Sequence, residues 1–143
     1  MVIKKSASAS WRGGIKYGIG SISTQTGVLD KAPYGFKARF EDGPGTNPEE
    51  LVGAAHAGCF TMALSLVLEK AGLKATQMDT TATITLEQQG DGFTITHSHL
   101  SLTATVPGAT DEAFQKAAKD AEQNCPVSKL LKAEITMEAK LNS

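Results

Sequence analysis

The stretch from Gly45 to Leu73 constrains the fold more than any other part of the chain. It reads GTNPEELVGAAHAGCFTMALSLVLEKAGL and predicts one long, mostly apolar helix. Asn47 suits the N-cap, Pro48 suits the first helical position, and Glu50 stands where a capping box requires it. Gly72 can end the helix in the left-handed conformation. A helix of this composition is expected to be buried.

The remaining sequence alternates between strand and helix patterns. Strands are predicted over SASASWRG, GSISTQTG and PYGFKARFED before the long helix, and over TTATITLEQQ, FTITHSHLSLTATV and AEITMEAKL after it. A second helix, TDEAFQKAAKDAEQN, is predicted to begin at Thr110 or Asp111, and CPVSKLLK adds a short helical turn. The apolar phase changes near His97 and His99, which predicts a β-bulge between them. The order βββαββααβ predicts an α+β fold with mainly antiparallel sheets, in one domain over residues 1–143.

Composition and charge exclude several classes of function. The net charge is −1 without any block of like charge, so neither nucleic acid nor an anionic membrane surface is an expected partner. The N-terminal MVIKKSASAS lacks the apolar run of a signal peptide. The apolar run from Cys59 to Leu68, interrupted by Thr61 and Ser65, is too short to span a bilayer. A soluble, cytoplasmic protein is therefore expected, and neither C-x-x-C nor a zinc-like histidine spacing occurs.

The two cysteines, Cys59 and Cys125, are either buried core thiols or a redox pair. Cys59 lies too far beyond the N-cap for the dipole of its own helix to act on it, and burial raises a thiol pKa. A reactive Cys59 therefore needs a nearby cation. Cys125 is the expected N-cap of the short helix that begins at Pro126, where backbone N–H groups favour a thiolate. Such a pair suits a peroxidatic and a resolving cysteine, which pass through a sulfenic acid to a disulfide.

Arg39 and Arg12 are the arginines that could supply this cation. Arg39 lies on the polar face of the predicted strand that leads into the long helix, whereas Arg12 in WRGG is expected to be exposed. Glu49 is the candidate carboxylate to hold the arginine, with a solvated carboxylate at a helix start as the simpler alternative. Glu49 and Cys59 are about 15 Å apart along one helix. Glu49 could therefore serve Cys59 only across a two-fold dimer.

His56 offers a second interpretation of the cysteine. It lies one helical turn before Cys59, so the two side chains share a face of the helix. A Cys–His pair would indicate thioester hydrolysis or acyl transfer. Since no Asn or Asp is placed to orient His56, a hydrogen-bonded core histidine is the alternative.

Three motifs together resemble the OsmC/Ohr family of bacterial hydroperoxide-reducing proteins. They are NPEEL, then A-H-A-x-C-F, then N-C-P-V-S. The stretch YGFKARFEDGPGTNPEELVGAAHAGCFTMALSL is similar to the OsmC branch, and AEQNCPVSKLLKAEITME is similar to the segment of the second cysteine. The resemblance extends over essentially the whole chain.

The resemblance implies an OsmC-like fold, in which antiparallel sheets surround a long central helix in an intertwined homodimer. It implies that Cys59 is the peroxidatic cysteine, that Cys125 resolves it, that Arg39 assists Cys59, and that Glu49 of the partner subunit holds Arg39. It also implies organic hydroperoxide substrates, no metal, haem or flavin, and a dithiol reductant that is often a lipoyl-bearing protein. A binding protein for an apolar, lipid-like ligand and a cysteine-based thioester hydrolase or acyltransferase remain open alternatives.

Overall fold

The computed structural model describes residues 1–142. The chain forms two compact units, residues 1–51 and the residues from 52 onward. The long helix begins in the first unit and continues into the second. The expectation of a single domain stays a prediction.

The first unit is a three-stranded antiparallel sheet followed by a short helix. Its strands are β1 (Ala7–Arg12), β2 (Ile19–Thr24) and β3 (Ala32–Tyr34), and they neighbour one another in chain order. Helix α1 (Phe36–Phe40) comes directly after β3. The first two predicted strands are therefore confirmed.

The predicted strand PYGFKARFED is wrong beyond its first residues, because α1 takes the place of its second half. The Arg39 N–H donates to the Gly35 carbonyl at 3.1 Å, which closes a helical turn. The rings of Phe36 and Phe40 lie 5.1 Å apart between centroids. In FKARF, the two phenylalanines are four residues apart, so the pattern fits a helix face as well as a strand face. The ring contact favours the helix.

Helix α2 (Pro48–Lys70) begins and ends at the predicted residues. The Glu50 N–H donates to Asn47 Oδ1 at 2.8 Å, which confirms the N-cap. The Glu50 carboxylate accepts from the Thr46 hydroxyl at 2.8 Å, so Glu50 takes part in a different contact from that of a capping box. Gly72 has a φ of +79°, as the predicted left-handed end of the helix requires.

Helix α2 is apolar over its whole circumference. By length and composition it could cross a membrane, with a mean hydropathy of 1.8 over its most apolar window. The apolar run Cys59–Leu68 is only part of α2, and it is the complete helix Pro48–Lys70 that reaches this length. The core helix of a soluble protein meets the same criterion. In the single chain, Met62 and Leu66 are exposed on α2, with relative accessibilities of 77% and 55%.

The second unit combines a β-hairpin, two helices and a final strand. Strands β4 (Gln77–Gln89) and β5 (Gly92–Thr105) pair antiparallel, and helices α3 (Asp111–Asn124) and α4 (Pro126–Leu130) follow. Strand β6 (Glu134–Asn142) pairs with β5 in parallel. The expected mainly antiparallel arrangement therefore has one exception, since α3 and α4 return the chain to the starting end of β5. Apart from α1, the predicted element order is confirmed.

The predicted bulge is present at a slightly different position. The register shifts between Thr85 and Leu86 of β4, which leaves Thr96 of β5 as the extra residue. The sequence places the bulge between His97 and His99, so the structure has it nearer to the start of β5. The inserted residue brings the alternate side chains that follow it onto the core face.

The core of the second unit lies between α2, α3 and the inner face of the β4–β5–β6 sheet. It includes a thiol among its fully or nearly fully buried side chains. These are Phe60, Leu64, Leu68, Leu100, Leu102, Ala104, Val106, Phe114, Ala117, Ala118, Ala121 and Cys125.

Candidate active site

The two thiols, 66 residues apart in sequence, are brought together in the second unit. Cys59 projects from α2 and is partly buried, while Cys125 immediately precedes α4 and is fully buried. Both are free thiols, and they lie close enough together for Cys125 to raise the pKa of Cys59. The structure therefore supplies the proximity that the redox-pair interpretation requires.

The first turn of α4 supplies a backbone donor to each sulfur. The Ser128 N–H donates to Cys125 Sγ at 3.4 Å, which confirms Cys125 as the N-cap. The Val127 N–H faces the Cys59 sulfur and lowers the pKa of that thiol. The sequence predicts an effect of these free N–H groups on Cys125 alone, so the position of the Val127 N–H beside Cys59 is a finding of the structure. The signal available in N-C-P-V-S was that the first turn of a helix leaves several N–H groups unpaired.

The surroundings of Cys59 oppose ionisation on balance. Burial raises the pKa of the Cys59 thiol above its ordinary value, and the neighbouring Cys125 adds to the rise, while the Val127 N–H lowers it. A raised thiol pKa leaves less of the nucleophilic thiolate at neutral pH. The residues of the second unit therefore do not activate Cys59 by themselves, in agreement with the sequence argument that a cation is needed.

Cys59 opens onto a cleft of about 700 Å³. The α2 side of the cleft presents mainly apolar side chains, including Met62, Leu66 and Val67, and Lys70 lies at the end of the helix. Asn124 and Pro126 line it on either side of Cys125. The cleft is large enough for a small organic molecule beside the partly buried thiol.

Arg39 and Glu49 form a bidentate ion pair in the first unit. Arg39 Nε donates to Glu49 Oε1 at 3.0 Å, and a terminal nitrogen of Arg39 donates to Glu49 Oε2 at 3.1 Å. The Glu49 carboxylate is nearly buried, whereas Arg39 is more exposed. The pairing predicted from sequence is present, but it forms within one chain rather than with Glu49 of a partner subunit. Helix α1 makes this possible, because it returns the chain to the start of α2.

Asn47 links the two elements that carry this ion pair. Its Oδ1 caps α2, and its Nδ2 donates to the Ala38 carbonyl of α1 at 2.9 Å. The connecting turn needs Gly45, which has a φ of +103° and where a Cβ would lie 2.4 Å from the Pro33 carbonyl oxygen. The Asn47 side chain therefore holds α1, which carries Arg39, against the start of α2.

An aromatic cleft of about 250 Å³ adjoins Arg39. Its walls include Trp11, Tyr34, Phe36 and Phe40, and the Trp11 and Tyr34 rings meet edge to face at 5.4 Å. The Arg39 guanidinium lies 5.3 Å from the centroid of the Phe40 ring. No local sequence pattern indicates this cleft, since its walls come from three separate elements.

His56 does not form the Cys–His pair. Its Nδ1 lies 2.6 Å from Ser98 Oγ and its Nε2 lies 2.8 Å from Ser128 Oγ, so both ring nitrogens have other partners. The core-histidine interpretation is therefore confirmed, and the basis of the acyl-transfer alternative is lost. Within residues 1–142, no group of three or more His, Cys, Asp or Glu side chains is placed to hold a metal ion.

Two free thiols in contact beside a cleft are the arrangement of a thiol-dependent oxidoreductase. Residues 41–140 match the sequence model of the family described as OsmC-like protein. The chain is 50% identical to the Peroxiredoxin OsmC of Escherichia coli K12 over 143 residues, the full length of both proteins. It is 31% identical over 102 residues to an organic hydroperoxide resistance protein-like protein of Staphylococcus aureus, covering 71% of this chain and 72% of that protein.

The solved structures agree on the fold. An OsmC-like protein of unknown function from Vibrio cholerae superposes with a TM-score of 0.78 at 17% identity, covering 96% of this chain and 99% of that protein. The chain belongs to the OsmC-like family. It is an enzyme of the peroxidase class.

Proposed function

We propose that this enzyme reduces organic hydroperoxides, and hydrogen peroxide less well, through a two-cysteine cycle. The observation that carries the proposal is the contact between two free thiols, one of which opens onto a largely apolar cleft. The likeness to a peroxiredoxin and to an organic hydroperoxide resistance protein-like protein supports it.

In the first step, the Cys59 thiolate attacks the distal oxygen of the hydroperoxide. The O–O bond breaks, Cys59 becomes a sulfenic acid, and the alkoxide takes up a proton and leaves as the alcohol. The raised pKa of Cys59 makes a cation necessary for this step, and Arg39 is the residue to which we assign the role. The guanidinium would stabilise both the thiolate and the charge that develops on the leaving oxygen.

In the second step, Cys125 condenses with the sulfenic acid. A Cys59–Cys125 disulfide forms and water leaves, with no external electrons. A dithiol reductant then returns both residues to thiols by exchange. A lipoyl-bearing protein is the reductant that the family resemblance favours.

Arg39 and Glu49 act together in this proposal, and they act on a second copy of the chain. Glu49 and Cys59 are ten residues apart on α2, about 15 Å at the usual helical rise. An arginine held by Glu49 is therefore assigned to the Cys59 of the partner in a homodimer. The exposure of Met62 and Leu66 on a helix that is apolar all round supports burial of α2 by that partner. We also propose that the dimer works in the cytoplasm, where both thiols are kept reduced.

The intact mass of the reduced protein, before and after one equivalent of an alkyl hydroperoxide, tests the cycle. The expected result is a rapid loss of two hydrogen atoms per chain, absent in Cys59→Ser and in Cys125→Ser. Unchanged mass with both thiols free would overturn the proposal. In that case, an apolar ligand that copurifies in stoichiometric amount would favour a binding protein.

Mixing of two inactive variants tests the shared site. Glu49→Ala chains and Cys59→Ser chains are combined after subunit exchange has been demonstrated with differently labelled protein. Mixed dimers should regain activity, because one of their two sites has an intact thiol, arginine and glutamate. Absence of any recovery would assign Arg39 and Glu49 to the Cys59 of their own chain.

A further inference from the structure

A buried chain of hydrogen-bonded side chains runs beside the two thiols, and the backbone of its last residue, Ser128, contacts one of the sulfurs. His56 is fully buried on α2, one turn before Cys59. Its Nδ1 lies 2.6 Å from Ser98 Oγ on β5, and its Nε2 lies 2.8 Å from Ser128 Oγ on α4. Ser98 is also fully buried and Ser128 nearly so. One imidazole thus joins three elements of the second unit.

The imidazole is neutral in this position. Burial lowers the pKa of His56 below its ordinary value. A neutral imidazole has one N–H and one lone pair, so one serine accepts from His56 and the other donates to it. Because both nitrogens are used, loss of either serine hydroxyl leaves a buried polar atom unpaired.

The Ser128 end of this chain lies at the first turn of α4. The Ser128 N–H donates to Cys125 Sγ, and the Val127 N–H faces the Cys59 sulfur. Helix α4 has only five residues, too few to hold its own geometry without tertiary contacts. The Ser128 hydroxyl is the side-chain group through which His56 holds this turn.

We propose that His56 is a positioning residue for disulfide formation. Through Ser128, it holds the first turn of α4 so that the Val127 N–H faces the sulfur of Cys59 and the Ser128 N–H faces that of Cys125. This assignment rests on the proposed two-cysteine cycle. In the step concerned, the Cys125 thiolate attacks the sulfur of the Cys59 sulfenic acid, the S–S bond forms, the S–O bond breaks, and hydroxide leaves as water with the proton that Cys125 released.

The consequence concerns the timing of the two steps. The sulfurs must approach from contact to a bond of about 2.05 Å, and a loosened first turn of α4 spends less time in the geometry that allows it. Loss of the Ser128 contact should therefore slow disulfide formation more than it slows attack on peroxide. A histidine that merely fills the core would alter neither step selectively.

The two serines provide a matched pair of variants. Ser128→Ala and Ser98→Ala each remove one hydroxyl that is hydrogen-bonded to the His56 imidazole. Only Ser128→Ala releases the first turn of α4 from this contact. After rapid mixing with an alkyl hydroperoxide, a sulfenic acid trap and mass spectrometry time the two steps separately. We expect disulfide formation to slow about fivefold in Ser128→Ala and less than about twofold in Ser98→Ala. Equal slowing in the two variants, following their unfolding midpoints, would overturn the proposal.

Two substitutions of His56 compare the same two contacts, with Ser128 and with Ser98, by changing the imidazole instead of the serines. The amide of His56→Gln reaches the position of Nε2 and can still bind Ser128, whereas that of His56→Asn reaches the position of Nδ1 and can bind only Ser98. We expect His56→Gln to recover most of the rate of disulfide formation and His56→Asn to resemble Ser128→Ala. Equal rates for the two variants would contradict the role, even if one serine variant fails to fold.

A thiol oxidant separates this inference from the proposed function. Diamide forms the Cys59–Cys125 disulfide without any peroxide, so the serine variants can be ranked by that rate as well. If the unmodified protein does not consume hydroperoxide, the proposed function fails, and the diamide ranking still decides whether His56 holds the turn. If the unmodified protein is active and all variants form the disulfide at its rate with both oxidants, only the inference about His56 fails.

Discussion

The region of the two thiols and the region of the Arg39–Glu49 ion pair differ in burial and in charge. The thiol region lies at the edge of the apolar core, with Cys125 fully buried and with backbone N–H groups of α4 facing both sulfurs. The Arg39–Glu49 region lies in the other compact unit, and its arginine is about two-fifths exposed, with a side-chain relative accessibility of 39%. The first region places its reactive atoms accurately but raises the pKa of Cys59. The second holds a permanent charge in a bidentate pair.

This difference indicates that one region positions the thiol and the other supplies a positive charge. Burial excludes water from a thiol and positions it, but burial alone disfavours the thiolate. A guanidinium keeps its charge at any working pH, and a bidentate carboxylate fixes its direction at a small cost in desolvation. Neither region supplies on its own what peroxide reduction needs, which is a positioned thiolate. Substitutions in each region can therefore separate the two contributions.

Replacement of Cys59 by serine should have the largest effect. The hydroxyl is not ionised at neutral pH, so Cys59→Ser should lose at least about a thousandfold in peroxide consumption. Cys125→Ser should still consume about one equivalent per site and then stop as the sulfenic acid. A colorimetric peroxide assay, with enzyme in excess and then in deficit, measures both. Turnover by Cys59→Ser at the normal rate would remove the thiol region from the reaction.

Replacement of Arg39 should have the next largest effect. Arg39→Ala should raise the pKa of Cys59 by about one unit or more and slow peroxide attack by about tenfold or more. Arg39→Lys should recover only part of the loss, because an ammonium cannot pair with Glu49 in a bidentate manner. Thiolate absorbance as a function of pH measures the pKa. Arg12→Ala, which removes an exposed arginine of the same unit, is the control and should leave both quantities unchanged.

Glu49→Gln tests whether the Arg39 guanidinium must be held by a charged carboxylate. The amide keeps the shape of the side chain but weakens the bonds to Arg39, so the rate of peroxide attack should fall by about threefold, less than in Arg39→Ala. Glu50→Gln is the matched control, since Glu50 adjoins Glu49 but accepts from Thr46. Equal rates in Glu49→Gln and the unmodified enzyme would leave the ion pair with a structural role alone.

The smallest effect concerns stability in acid. The pKa of His56 is below 6.5 in the folded protein, so as the pH falls the unfolded chain binds a proton at His56 before the folded chain does. The free energy of unfolding should therefore be unaffected by His56 above about pH 6.5 and should fall below it, by up to about 1.4 kcal/mol per pH unit. Urea unfolding between pH 8 and pH 5 should show this slope in the unmodified protein. In His56→Gln the slope should be smaller by the same amount, and an identical slope would contradict the buried, neutral state.

Much of the fold was predictable because its signals are local. The caps of α2 at Asn47 and Gly72 and the N-cap of α4 at Cys125 follow from neighbouring residues, and the structure has all three. The alternation in β4 and β6 likewise predicted strands. The helix α1 was missed because FKARF satisfies two periods over five residues, and the contact between Phe36 and Phe40 decided between them.

The sequence by itself determined which reactive side chains are available to the proposed site. They are two cysteines, an arginine that precedes the long helix, and a glutamate at the start of that helix. It could do so because thiol, guanidinium and carboxylate chemistry belongs to the residues themselves. Only the tertiary structure decided the pairings: Arg39 with Glu49 of its own chain, Val127 N–H with Cys59, and His56 with two serines. These contacts join residues that are 10 to 72 positions apart. They depend on where α1, β5 and α4 pack, and packing is set by buried surface rather than by local spacing.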